Sequence, residues 1–437
     1  MADIKVINGV PKDTREISCT SSGSDAPLMP RERSRLLVTF VVVMGLMFVW
    51  GVALLPAIFY ANKLPAPPEP HINTSIMPKP MYPCNKPLVY NDKAKMCMPP
   101  CPWVFFSPAE DYALEVVDNF AIAVSLLSFV IILATWLRIK QLRLFPHIIP
   151  LYIQGLSAAI AFLLAVANGV GREKAFCTSR FLSEAQENPT TFCRAQGILI
   201  HYFSIALALW FLVYSINLVQ MMYSDSLVSV QGHQYRVKHI VCSLICWLLP
   251  CIPVGVVLGS KTTKYDVVNM RSCFPGGTDT GFFTTTFLNE IAQGVGCTCL
   301  ILVAYKLFMF RTTTSVTGEQ SEKRKKKMTT VVKRLVILMC AYALIFCLAY
   351  APICALQQHS KLLDYNIKQY FGCLVFSPPE QCQKAYEKYT FSATFIVSTL
   401  STALFALTTV CFLAFNKQSR KLWIFWWSRL KICCSCD

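Results

Sequence analysis

Charge is scarce in this chain. Asp, Glu, Lys and Arg make up 15% of its 437 residues, against about 25% in an ordinary soluble domain, while 54% are apolar. That balance excludes a soluble enzyme, a secreted disulfide scaffold and a disordered chain, none of which places so much apolar side chain in uninterrupted runs. The short alternating segments of an outer-membrane barrel are missing as well. So are the common catalytic signatures: there is no His-Glu-x-x-His, no glycine-rich phosphate loop and no nucleophile elbow. Without convergent nucleophile, base and oxyanion groups or a metal cluster, the chain is expected to be neither an enzyme nor a carrier of a metal or cofactor.

What the sequence does hold is length in its apolar blocks. A bilayer core of about 30 Å needs about 20 helical residues, and eight runs reach that scale, at 36–60, 120–137, 148–170, 198–221, 240–258, 282–308, 335–355 and 391–415. The first follows 35 polar residues and exceeds the 7 to about 15 apolar residues of a signal peptide, so it reads as an uncleaved anchor. Arg31, Arg33 and Arg35 on its amino side place the N-terminus in the cytosol. Eight crossings return the C-terminus to the same side.

The loop charges test this topology independently. Of the 41 Lys and Arg, 25 fall on the predicted inner segments with 9 of the 24 acids, so the inner face carries +16 and the outer face +1. Basic residues that flank spans, instead of gathering on one soluble face, exclude a nucleic-acid partner. Eight cysteines (Cys84, Cys97, Cys101, Cys177, Cys193, Cys273, Cys373 and Cys382) lie on the outer side, where an oxidising environment favours four bridges. The acceptor sequon Asn73-Thr74-Ser75 is on that side too, which makes Asn73 a glycosylation candidate.

Between and beyond the spans, residues 1–35 read as a disordered cytoplasmic tail and 61–117 as a proline-rich linker ending in a disulfide-held cap. The longest inner loop carries Lys323, Arg324, Lys325, Lys326 and Lys327. This is either a topogenic, lipid-gripping run or a docking surface for an acidic effector, and both hold together. Residues 416–437 place Leu422, Trp423, Trp426, Trp427 and Leu430 on one helical face with basic residues between, the pattern of an interfacial amphipathic helix. Cys433, Cys434 and Cys436 beside it are candidates for S-acylation. The expected fold is therefore all-α integral membrane: a seven-helix receptor bundle over 118–415, a signal-anchor helix at 36–60 and a C-terminal amphipathic helix.

Inside the spans, His201 is read as hydrogen-bonded within the bundle, with ligand contact as the alternative. Asn289, Glu290 and Gln293 occupy adjacent turns. A carboxylate at mid-membrane costs about 2.5 to 3.5 kcal/mol on insertion scales, so Glu290 is expected at the outer interface, with a pocket-lining role next. Gln154, Asn168 and Asn217 are expected to form interhelical hydrogen bonds, each worth about 0.6 kcal/mol.

Several of these residues together resemble the Frizzled/Smoothened (class F) family of seven-span receptors. They are Cys97-Met98-Pro99-Pro100-Cys101 before the bundle, Cys193 with Tyr202-Phe203-Ser204 and Trp210, Trp247-Leu248-Leu249-Pro250, Arg334 with Tyr342, and the pair Cys373 and Cys382. The resemblance runs from residue 84 to about 427 and implies the bridges Cys84–Cys97, Cys101–Cys177, Cys193–Cys273 and Cys373–Cys382. It implies a two-state bundle in which Arg334, with Tyr342, is held at the inner end of the seventh span and released by a ligand. It also implies a sterol or other small ligand, and a heterotrimeric G protein or another cytoplasmic effector. The sequence departs from the family in three ways. It has no counterpart of the extracellular cysteine-rich domain, Leu413 stands where an aromatic packs on the basic residue, and the Dishevelled-type tail motif is degraded to Lys417-Gln418 with Trp423 one place too far. The expected protein is a plasma-membrane signalling receptor, with an endomembrane as the alternative site. A transporter or channel, or a scaffold derived from such a receptor, is the rival reading. Transporters tend to show paired halves and several intramembrane charges, and neither is seen here.

Overall fold

The computed structural model describes residues 84, 88–93, 95–103, 108–223, 232–261, 263–268, 271–275, 279–313, 345, 369–374, 382 and 392–411. The anchor at 36–60, Asn73, the basic run from Lys323 to Lys327, the switch residues Arg334, Tyr342 and Leu413, and the tail cysteines Cys433, Cys434 and Cys436 lie outside them.

The first long helix, α1 (Pro108–Arg138), starts about a dozen residues before the apolar run that announces it. Proline fits a first helical turn, whose N–H groups lack partners anyway, and Glu110 and Asp111 complement the positive end of the dipole as Arg138 does the negative end. Residues 108–117, read from sequence as linker, are thus the polar head of the first span. A 3-10 turn (Lys140–Arg143) leads to α2 (Ile149–Val170). That helix ends at Gly171, whose φ of 90° is a backbone conformation a side chain would strain. Two short helices follow, α3 (Arg172–Phe176) and α4 (Leu182–Glu187), and then α5 (Thr191–Tyr223).

The fifth apolar run, the fourth span of the bundle, is two helices, α6 (Gly232–Leu248) and α7 (Cys251–Gly259). The break falls at Trp247-Leu248-Leu249-Pro250 because Pro250 has no N–H to give and its ring crowds the preceding turn. Ile240, Leu244, Leu248 and Ile252, four residues apart, are all more than half exposed, an apolar row turned toward lipid. Strands β3 (Tyr265–Val268) and β4 (Ser272–Pro275) form an antiparallel hairpin with Val267 opposite Cys273. One π-helical turn (Phe282–Phe287) then opens α8 (Leu288–Thr313), and α9 (Ser392–Thr409) closes the described chain. Before the helices, β1 (Val89–Asn91) pairs with β2 (Met96–Met98).

Five of the described segments are long and apolar enough to cross a membrane: Ala109–Arg138, Ile149–Val170, Thr191–Tyr223, Arg236–Gly259 and Phe282–Val303. They coincide with the second to sixth runs read from hydropathy, and α9 falls in the eighth. At the centre is α5, which packs on α2, α8 and both strands of the β3–β4 hairpin, while α1 packs on α2 and α9. Trp210 of α5 is fully buried, its ring 4.7 Å from Tyr152 and 5.9 Å from Trp247, so the aromatic positions of three spans make one core. Close approach on the opposite side is set by Gly296: a Cβ there would lie 2.6 Å from the Phe211 ring.

Candidate ligand cavity

Four disulfides join Cys84 to Cys97, Cys101 to Cys177, Cys193 to Cys273 and Cys373 to Cys382, with Cα separations of 5.4 to 5.8 Å. They are the pairs that the resemblance implies, and all eight cysteines belong to one apolar cluster with Trp103, Phe176 and Leu374. Main-chain bonds stitch the cap further: Cys101 N–H donates to Arg180 O at 2.9 Å and Leu182 N–H to Pro99 O at 3.1 Å. A segment too short to build its own core is therefore covalently tied to Cys177, just after α3, while Cys193–Cys273 ties α5 to β4.

Within the helix bundle is a cavity of about 320 Å³, within the roughly 300 to 1,000 Å³ of small-molecule sites. Its wall is mostly apolar, with Leu207, Ala208 and Phe211 from α5, Ile160 and Leu164 from α2, and Ile345 from the run 335–355. Polar groups enter from Ser125 of α1, Ser157 of α2, Gln293 of α8 and the hydroxyls of α9. In α9, Ser401 and Thr402 donate to main-chain oxygens of Ser398 and Thr399 at 2.6 and 2.7 Å. Their protons are spent within the helix, and they offer the cavity lone pairs.

The remaining polar lining group is Asp118. It sits on one face of α1 with Asp111 and Glu115, at spacings of four and three residues. Arg271, at the turn of the β3–β4 hairpin, pairs with Asp118 and with Asp111 Oδ1, the latter at 2.6 Å, and also donates to Asp111 O at 3.0 Å. Arg172, which opens α3, donates to Asp111 Oδ2 at 2.7 Å and to Glu115 at 3.4 Å. Two loops are thereby clasped to the head of the first span, at the rim of the cavity.

The same hairpin reaches α5 through His201, which is fully buried. Its Nε2 faces the main-chain oxygen of Thr284 at 3.2 Å and so carries the proton, which leaves Nδ1 to accept from the Tyr265 hydroxyl at 3.0 Å. Burial pushes the Tyr265 phenol up to about 12, which keeps it a donor. Beside it, burial raises the Asp266 carboxyl above its ordinary value, with Lys264 opposing.

His201 thus has the bundle-internal role read from sequence. Gln154 and Asn168 bond across helices, to Ser125 O at 3.4 Å and Asn119 Oδ1 at 3.1 Å. Two readings are corrected. Asn217 bonds back to Val213 O of its own helix at 2.7 Å, because that carbonyl lies one turn away. Glu290 is 1% exposed and does not reach the outer interface: its side chain is enclosed by the packed helices, which hydropathy alone does not show. Asp111, Asp118, Arg172 and Arg271 were missed. Their signal was the acidic spacing in residues 111–118, concealed in what reads as a linker.

Spans, cap and cavity together can be set against known proteins. A search among curated proteins gave no match. The family model of the Frizzled/Smoothened membrane region matches residues 105–430, which takes in α1 through α9 and the cysteines of the loops between them. With three quarters of its length so matched, this membrane-spanning chain belongs to the Frizzled/Smoothened family.

Proposed function

We propose that the chain is a seven-span signalling receptor of the plasma membrane, with the run at 36–60 as an added anchor. In this reading it answers a sterol or other small ligand. The observation that carries this is the cavity of about 320 Å³ within the bundle, because its lining joins α1, α2, α5, α8 and α9 to Ile345 of the sixth bundle span. A ligand that fills it in one state and not the other shifts the equilibrium by its differential affinity. Ile345 is eleven residues from Arg334, so a change at the wall has a short path to the inner end of that span. In the resting state the Arg334 guanidinium is held by aromatic faces and carbonyls at the inner end of the seventh span. Outward movement of the sixth span then opens the basic surface of residues 323–334 to a heterotrimeric G protein or another acidic effector. Catalysis plays no part in this scheme.

Leu413, where the family has an aromatic, weakens the lock and raises basal activity. Leu413→Trp should lower ligand-independent reporter output severalfold with surface expression unchanged; equal output from both forms would remove the lock from the scheme. Agonist-dependent recruitment of an effector to the purified chain in nanodiscs tests the receptor reading itself, and ion or solute flux without recruitment would replace it with a transporter.

A further inference from the structure

The cavity has a charge at its rim that an uncharged ligand does not need. Among Asp111, Glu115, Asp118, Arg172 and Arg271, three carboxylates meet two guanidiniums, which leaves one negative charge in excess. Of the three, Asp118 lines the cavity. Among the described residues Arg271 is its one ion partner, and Arg271 does not depend on it: Nη2 holds Asp111 through both a carboxylate oxygen and the main-chain oxygen. If a second cation took Asp118, Arg271 would keep Asp111, and neither guanidinium would be left buried and unpaired. Two helical turns further in, Ser125 is 3% exposed and lines the cavity. Across the cavity, Ser401 and Thr402 present lone pairs because their protons are spent. Asp118, Ser401 and Thr402 therefore favour a ligand that donates.

We propose, building on the receptor reading of this cavity, that it selects a cationic amphiphile: an apolar skeleton carrying a protonated amine that binds Asp118 by exchange with Arg271. The amine donates to the Asp118 carboxylate, the skeleton lies against Leu207, Ala208 and Phe211, and the hairpin loses one of its two ties to α1. The exchange makes ligand entry and loosening of the hairpin a single event.

The test uses the full chain in nanodiscs and three analogues on one steroid skeleton, bearing a primary amine, an alcohol or a carboxylate at the same carbon. Binding is read by equilibrium titration and by shift of the thermal midpoint. The amine should bind about tenfold or more tighter than the alcohol, as expected for a charge-assisted contact, and the carboxylate weakest. In Asp118→Asn the amine and alcohol should bind alike. Arg271→Gln, which removes the competing cation, should tighten the amine severalfold. An alcohol that binds as well as the amine, or an Arg271→Gln variant that weakens the amine, overturns the proposal while leaving the cavity a ligand site. Failure of all three analogues to bind overturns both. Arg271→Gln decides alone should Asp118→Asn not fold.

Discussion

At Gly296 a single hydrogen separates α8 from α5. Adding a methyl group brings a carbon to 2.6 Å from the Phe211 ring, so Gly296→Ala should lower the thermal midpoint by the equivalent of about 1 to 3 kcal/mol. Combining it with Phe211→Leu should recover part of that loss, and purely additive losses in the double variant would show that the ring is not the obstacle. Asp266 makes a prediction of the opposite sign. Its folded-state carboxyl is raised by burial, so folding holds on to a proton that the unfolded chain gives up. The penalty is absent below the ordinary carboxylate value of about 3.9, grows as pH rises past it, and is complete above the raised value. Asp266→Asn should therefore stabilise the chain at neutral pH, and the gain should vanish near about pH 3. Residues at this scale were the least legible in the sequence. The Asp111, Glu115 and Asp118 face gains its meaning from Arg172 and Arg271, up to 160 positions away, and Glu290 looked too costly to bury because hydropathy sees no neighbours.

The disulfides act at the scale of elements, and they are unequal. Cys193–Cys273 closes 80 residues and Cys373–Cys382 closes 9. Loop-closure entropy assigns them about 4.5 and about 2.5 kcal/mol. Replacing each pair by serines should lower the thermal midpoint more for the first pair than for the second; the reverse order would show that native packing, not chain entropy, sets their value. The spans were readable in advance because hydropathy and helical rise need no tertiary information. The bridges were not, since eight cysteines allow 105 pairings and the choice came from resemblance alone. The division of the fourth span at Pro250 lay between the two cases: the residue was visible, and the break followed from its missing N–H.

For the whole molecule, the asymmetry of +16 against +1 between the two predicted faces predicts an orientation. A protease site or epitope inserted beside Lys325 should stay protected on intact cells, while one beside Asn73 should be accessible. Accessibility at Lys325 would invert the topology and with it the assignment of the cap to the oxidising side. That assignment has a consequence for when the protein becomes competent. The hairpin whose Arg271 holds Asp118 is welded to α5 through Cys193 and Cys273, and thiols join only after the chain has met an oxidant. A newly made copy held in a reducing compartment has its crossings in place without that bridge, so on the receptor reading export and ligand readiness are timed by the same chemical step.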